Sequence, residues 1–231
     1  MGKRIIKPYT GGIFHVFNRS INGEVIFDEA KSCDRMLTNI IYYRQTEQPV
    51  SLSYYLAWCA KNRSPMSLKG KKLITLLSYC LMPTHFHFLI SQNEEHGISE
   101  FMGNIQNSYT RYYNSVHERS GHLFQGQYKI VEITSDEQLL HVSRYIHLNP
   151  ATARMISDES LEDYEFSSLY ELTHKNSPHH LADLTKIVGS NDKSISTHLK
   201  FIKDHADYQR KLKQIKNLLF DWLTTPGVIS N

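Results

Sequence analysis

At 231 residues, 40% hydrophobic, 21% charged and 11% aromatic, the chain can bury a full core and reads as a globular protein of one or two domains. A formal net charge of +3 excludes the strongly basic class in which charge alone marks a nucleic-acid binder. No apolar run approaches the ~18 residues of a membrane span, the basic start Met1-Gly2-Lys3-Arg4 lacks a long apolar segment, and Cys33, Cys59 and Cys80 form no CxxC pair. Free thiols and a cytoplasmic location are therefore expected, with no signal peptide.

Gly11-Gly12 precedes an alternating strand, Ile13 to Asn18, and Ile21-Asn22-Gly23-Glu24 reads as a turn. Asp28 is placed to cap a helix from Glu29 to Thr46, with Met36, Ile40, Ile41 and Tyr43 on its apolar side. Leu52 to Trp58 reads as a strand, and Asn62 to Lys72 as a loop carrying Lys69, Lys71 and Lys72. Leu73 to Leu81 and His85 to Ser91 form a hairpin broken at Pro83. Ser99-Glu100 opens a helix to about His117, with Phe101, Met102, Ile105, Tyr109, Tyr112 and Tyr113 at near-helical spacing. A strand is expected over Leu123 to Ile133, then a helix capped at Ser135 and stopped by Pro150. Asn176 to His180 looks like a linker, followed by helix-rich, basic sequence from Leu181 to Leu223. The order of elements implies an α+β fold, an antiparallel sheet of ferredoxin-like type with helices on one face. Residues 1–174 form the expected catalytic domain and 175–231 a basic helical extension.

The run Met82-Pro83-Thr84-His85-Phe86-His87-Phe88-Leu89-Ile90 carries the chemistry. On a strand, His85 and His87 share one face while Phe86 and Phe88 pack into the core behind it. Two imidazoles on a rigid strand supply two ligands of a metal site, although a hydrogen-bonded pair in a sheet would look the same. Completion is sought in Tyr145-Ile146-His147-Leu148-Asn149-Pro150. Tyr145 and Asn149 lie four apart, on one helical face. The Asn149 carbonyl oxygen suits a hard cation, Mg²⁺ or Mn²⁺. A phenol with its usual pKa of about 10 is a poor nucleophile. Beside a cation that polarises a phosphodiester it can attack phosphorus and keep the bond energy in a 5′-phosphotyrosine link, which is transesterification without ATP. Each residue taken singly also has an ordinary structural role.

Taken together these blocks resemble the HUH single-tyrosine transposases, in particular the REP-associated tyrosine transposase branch related to insertion sequence 200. The resemblance rests on Phe14-His15-Val16-Phe17-Asn18-Arg19 and on Tyr79 to Ile90. It continues through Tyr109-Thr110-Arg111-Tyr112-Tyr113-Asn114, Gly121 to Gly126, Tyr145 to Pro150 and Phe166-Ser167-Ser168. It implies a metal-dependent nuclease and strand transferase acting on single-stranded DNA hairpins with adjacent guide sequences. His85 and His87 would be metal ligands, Tyr145 the nucleophile and Asn149 the third ligand, where some relatives carry glutamine. Tyr109 is the alternative nucleophile, since it shares a helical face with Tyr113, but that face offers no amide to match Asn149.

Arg111, Arg119, Lys129 and Arg144 are the candidate phosphate contacts. Two other functions remain open at this stage: a catalytically silent single-stranded nucleic-acid binder, and a metal-dependent phosphodiesterase that uses water. The expected assembly is a monomer or a homodimer.

Overall fold

The computed structural model describes residues 6–64, 66–68, 70–174, 176–177, 180–188 and 192–204, with the side chains of 192 and 193 excepted. The N-terminal basic residues up to Ile5, Lys69 of the basic loop, Pro178 and His179 of the expected linker and the basic sequence from 205 to 231 lie outside the described residues.

Four strands form one antiparallel sheet: β1 (Ile13–Arg19), β2 (Ile74–Met82), β3 (His85–Gln92) and β4 (Lys129–Ile133), in the order β2-β3-β1-β4. This is the ferredoxin-like arrangement expected. The hairpin forms as read, with only Pro83 and Thr84 between β2 and β3. Phe14, Val16, Phe86, Phe88 and Ile90 point to one face and join a large apolar core. On β2 a register shift between Leu76 and Ser78 places Leu76, Tyr79 and Leu81 in that same core, which strict alternation would forbid for residues three apart.

That face is covered by α1 (Ala30–Tyr43) and α3 (Gly97–Val116), which contribute Met36, Leu37, Ile40, Phe101, Met102, Ile105 and Tyr109. Gly97 opens α3 where the chain passes the backbone of Leu73, since a Cβ there would lie 2.4 Å from the Leu73 carbonyl oxygen. The opposite face is covered as well, where helices were expected on one face only, by α4 (Asp136–Thr152), through Leu139, Ile146 and the partly buried Val142 and Tyr145 against Leu77, Cys80, Met82 and Leu89. A third cluster ties Leu148 and Ala151 of α4 to Leu169 of α5 (Ser168–Thr173) and Ile202 of α7 (Asp192–Lys203); the short α6 (Thr185–Val188) precedes α7. Cys33, Cys59 and Cys80 are all free, as expected. Among the described residues no helix is long and apolar enough to cross a membrane.

Four local expectations are corrected. Leu52 to Trp58 is not a strand but the start of α2 (Leu52–Asn62): the Ser51 hydroxyl accepts the Tyr54 N–H as an N-cap, and Tyr55 alone on this helix is buried. Asp28 does not cap α1, whose N-cap is Glu29 with no side-chain bond. Of Leu123 to Ile133 only the last five residues are strand, because Gly126 adopts φ +60° and Phe124 makes a single bridge to Ser20. Pro150 does not stop α4. It lies inside the helix, and the carbonyl of Ile146 that it deprives of an N–H partner lies 3.4 Å from the Asn149 side-chain nitrogen, which donates to it. The start of α4 is as expected: Ser135 accepts the Gln138 N–H, and the Gln138 side chain reaches back to the Thr134 N–H.

Candidate active site

The functional residues collect on the face of the sheet beneath α4. Alternation puts His15 and Phe17 of β1 on this face, with His85 and His87 of β3. In the β1–β3 register Phe17 stands opposite His87 and Arg19 opposite His85. The expected histidine pair therefore forms as read: the rings of His85 and His87 have centroids 5.1 Å apart at 85°, while Phe86 and Phe88 stack on each other in the core behind.

α4 brings Tyr145 over this pair. Its ring meets His87 edge to face, with centroids 5.4 Å apart at 90°. His15, outside the expected site set, also meets Tyr145, at 6.0 Å and 73°. Its Nε2 lies 3.0 Å from His87 Nδ1. Phe17 stacks on both imidazoles, 4.9 Å from His15 and 5.6 Å from His87. The position of His15 on this face follows from the alternation of β1, but its meeting with His87 depends on a strand pairing that no local pattern announces.

Burial dominates the electrostatics. It lowers the His15 pKa to about 4 and holds that of His87 well below the usual range, where the neighbouring His15, His85 and Arg19 add to the effect. Both rings are thus neutral near pH 7, the form that can ligate a cation. Burial raises the Tyr145 pKa, with nearby Cys80 acting in the same direction. The Cys80 thiol, opposite His87 on β2, is pushed up as well and stays protonated.

His85 and His87 are donors of the type that a divalent cation takes. His85 Nδ1 is 3.0 Å from the Thr84 hydroxyl and His87 Nδ1 is bonded to His15, so each ring is oriented through one nitrogen, as ligating histidines commonly are. Among the described residues no group of three or more His, Cys, Asp or Glu is placed to hold a metal ion. Asn149 is buried, and its side-chain nitrogen donates to the carbonyls of Tyr145, at 2.9 Å, and Ile146. None of its hydrogen bonds reaches His85 or His87.

The other site residues separate. Tyr109 lies in the core on the opposite face, fully buried, with its hydroxyl donating to the Ile26 carbonyl and its pKa raised by that burial. Arg119 is engaged by Glu24 (3.2 Å), Asn114 (2.8 Å) and the His122 carbonyl. Arg144 is buried, with its guanidinium 4.5 Å from the Phe201 ring centre and bonded to His141. Arg111 is exposed on α3. Lys129 is exposed beside Phe17 on the histidine face. Arg19, exposed opposite His85, was missed by sequence reasoning, and its position in the register with His85 is its only signal.

Residues 66–149, from before β2 to Asn149, match the model of the family described as "Transposase IS200 like". No curated protein matches the chain significantly. Among solved structures, a REP-associated tyrosine transposase bound to a REP hairpin superposes with a TM-score of 0.53 and 13% identity, over 83% of this chain and 98% of its own. A candidate transposase from Deinococcus radiodurans R1 gives 0.34 and 16% over 63% of this chain and 95% of its own, a looser likeness from which nothing follows for this chain. The resemblance read from the sequence is thereby borne out: the chain is similar to the IS200-like transposases over residues 66–149 and shares the fold of a REP-associated tyrosine transposase.

Proposed function

We propose that the protein is a transposase-like strand transferase that cuts and rejoins single-stranded DNA at hairpin-flanked sites through Tyr145. The observation that carries this reading is the placement of the Tyr145 ring edge-on against His87, on the face that also holds His85. The match to the IS200-like family and the fold shared with a transposase solved on a REP hairpin support DNA as the substrate.

His85 and His87 would hold Mg²⁺ or Mn²⁺, and Asn149 Oδ1 is the amide oxygen that α4 offers one turn beyond Tyr145. When bound, such a cation supplies positive charge beside the scissile phosphodiester. The chain does the rest. Tyr145 Oη attacks phosphorus as the bond to the 3′ oxygen breaks, and the proton given up by the phenol is balanced by the one that the departing 3′ oxygen takes up from solvent. The products are a 5′-phosphotyrosine and a free 3′-hydroxyl, and attack by another 3′-hydroxyl reverses the step. A partly buried phenol with a raised pKa would stay protonated and unreactive until substrate and cation assemble around it. Arg19 and Lys129, exposed on this face, would meet the strand's phosphates.

The test is a 3′-labelled hairpin oligonucleotide incubated with protein and Mn²⁺. A covalent protein–DNA adduct that disappears in Tyr145→Phe is the expected result. Cleavage without an adduct, little affected by Tyr145→Phe, would instead establish a water-using phosphodiesterase.

A further inference from the structure

His15 is the histidine on this face that the cut-and-join chemistry leaves without a task. It is nearly as buried as His87, and it comes from β1, 72 residues away in sequence. Its ring lies almost parallel to that of His87, with centroids 5.2 Å apart at 21°, and Phe17 stacks on the pair. Tyr145 closes over both rings edge-on. His87 is thus boxed in by Phe17, His15 and Tyr145, and the 3.0 Å contact from its Nδ1 to His15 Nε2 is its polar tie to this box.

A hydrogen bond between two neutral imidazoles holds one proton between two nitrogens, so it selects a tautomer for each ring. If His87 donates through Nδ1, its Nε2 carries a lone pair directed away from His15. If His15 donates through Nε2, His87 must carry its own proton on Nε2 and cannot ligate through that atom. Resting on the reading of His87 as a cation ligand, we infer that His15 is a positioning residue: it accepts the Nδ1–H of His87, fixes the ring's orientation and tautomer, and leaves His87 Nε2 as the nitrogen that holds a divalent cation. Partners of this kind commonly change metal affinity by about 10- to 100-fold when removed. His85 has an analogous tie in Thr84, but that residue is its chain neighbour at the hairpin turn, whereas His15 reaches His87 from another strand.

The experiment uses the full chain without DNA, titrated with Mn²⁺ and followed by electron paramagnetic resonance, so that cation binding is read apart from cleavage. His15→Phe keeps an aromatic ring in the box but removes the acceptor. Its Mn²⁺ affinity is expected to fall by about tenfold or more. His15→Gln, whose amide oxygen can accept the same proton, is expected to remain close to wild type. Equal affinity in wild type and His15→Phe overturns the inference, as does an equal loss in both variants. Nitrogen-15 chemical shifts of the wild-type imidazoles give an answer that needs no variant to fold: a protonated Nδ1 on His87 supports the inference, and a protonated Nε2 overturns it. A His87→Ala control that binds Mn²⁺ as well as wild type would overturn the ligand reading and the inference together. Failure of the His15 arms alone would leave that reading standing.

Discussion

The two faces of the sheet are drawn from alternate residues of the same strands, yet they treat polar groups in opposite ways. On the α1–α3 face, two tyrosines of α3 meet apolar neighbours and give their hydroxyls to backbone: Tyr109 donates to the Ile26 carbonyl and Tyr113 to that of Val25, at 2.9 Å. On the α4 face, histidines meet a tyrosine, His15 and His87 bond to one another, and His85 bonds to the hairpin hydroxyl of Thr84. Two tyrosines, both with raised pKa values, are therefore not equivalent. The Tyr109 hydroxyl is held by a carbonyl in the core, whereas the Tyr145 ring rests against paired imidazoles, the setting in which the proposed chemistry would use it.

The largest expected effect lies on the apolar face. Phe88→Ala removes a fully buried ring stacked on Phe86 and should cost about 3–5 kcal/mol, read as a lower urea midpoint. Its neighbour His87 faces the other way, so the protein that remains folded should keep its Mn²⁺ affinity; a loss there would show that the faces are coupled. Next comes Asn149→Ala, which leaves the Ile146 carbonyl without its side-chain donor and should cost about 1–3 kcal/mol. Adding Pro150→Ala supplies a backbone N–H to that carbonyl and should recover much of the loss, a coupling that a double-mutant cycle would measure. The smallest is Tyr109→Phe, about 1 kcal/mol for one buried hydrogen bond, with adduct formation unchanged. An adduct lost in Tyr109→Phe and retained in Tyr145→Phe would move the nucleophile to the apolar face and reverse the comparison.

Elements set by alternation or by a strong cap were legible in the sequence. β1 and the β2–β3 hairpin announce themselves through period-two patterning, and α4 through its Ser135 cap. Leu52 to Trp58 misled because Tyr54, Tyr55 and Trp58 are residues that strands favour, while Ser51 capping and the burial of one ring decide for helix. Pro150 misled because its usual penalty is relieved by the residue before it, a compensation that depends on a side-chain rotamer. In the site, His85 and His87 could be paired from spacing alone, and Tyr145 could be set beside Asn149. That His15 completes the group, that Arg144 is occupied by Phe201, and that Asn149 turns its nitrogen to its own helix are tertiary facts. No spacing rule within one segment encodes them.

The strand order β2-β3-β1-β4 places β1 and β3, which carry the histidines, in the interior of the sheet, each with a neighbour on both sides. Backbone held on both edges opens only when a large part of the fold opens, so the amides of these strands belong among the slowest to exchange with solvent. The imidazoles stand on the least yielding part of the molecule, and their spacing is set before any ligand arrives. In the proposed encounter with DNA little ordering entropy is then lost, and what must still move is confined to the strand that would dock and the side chains that would meet it.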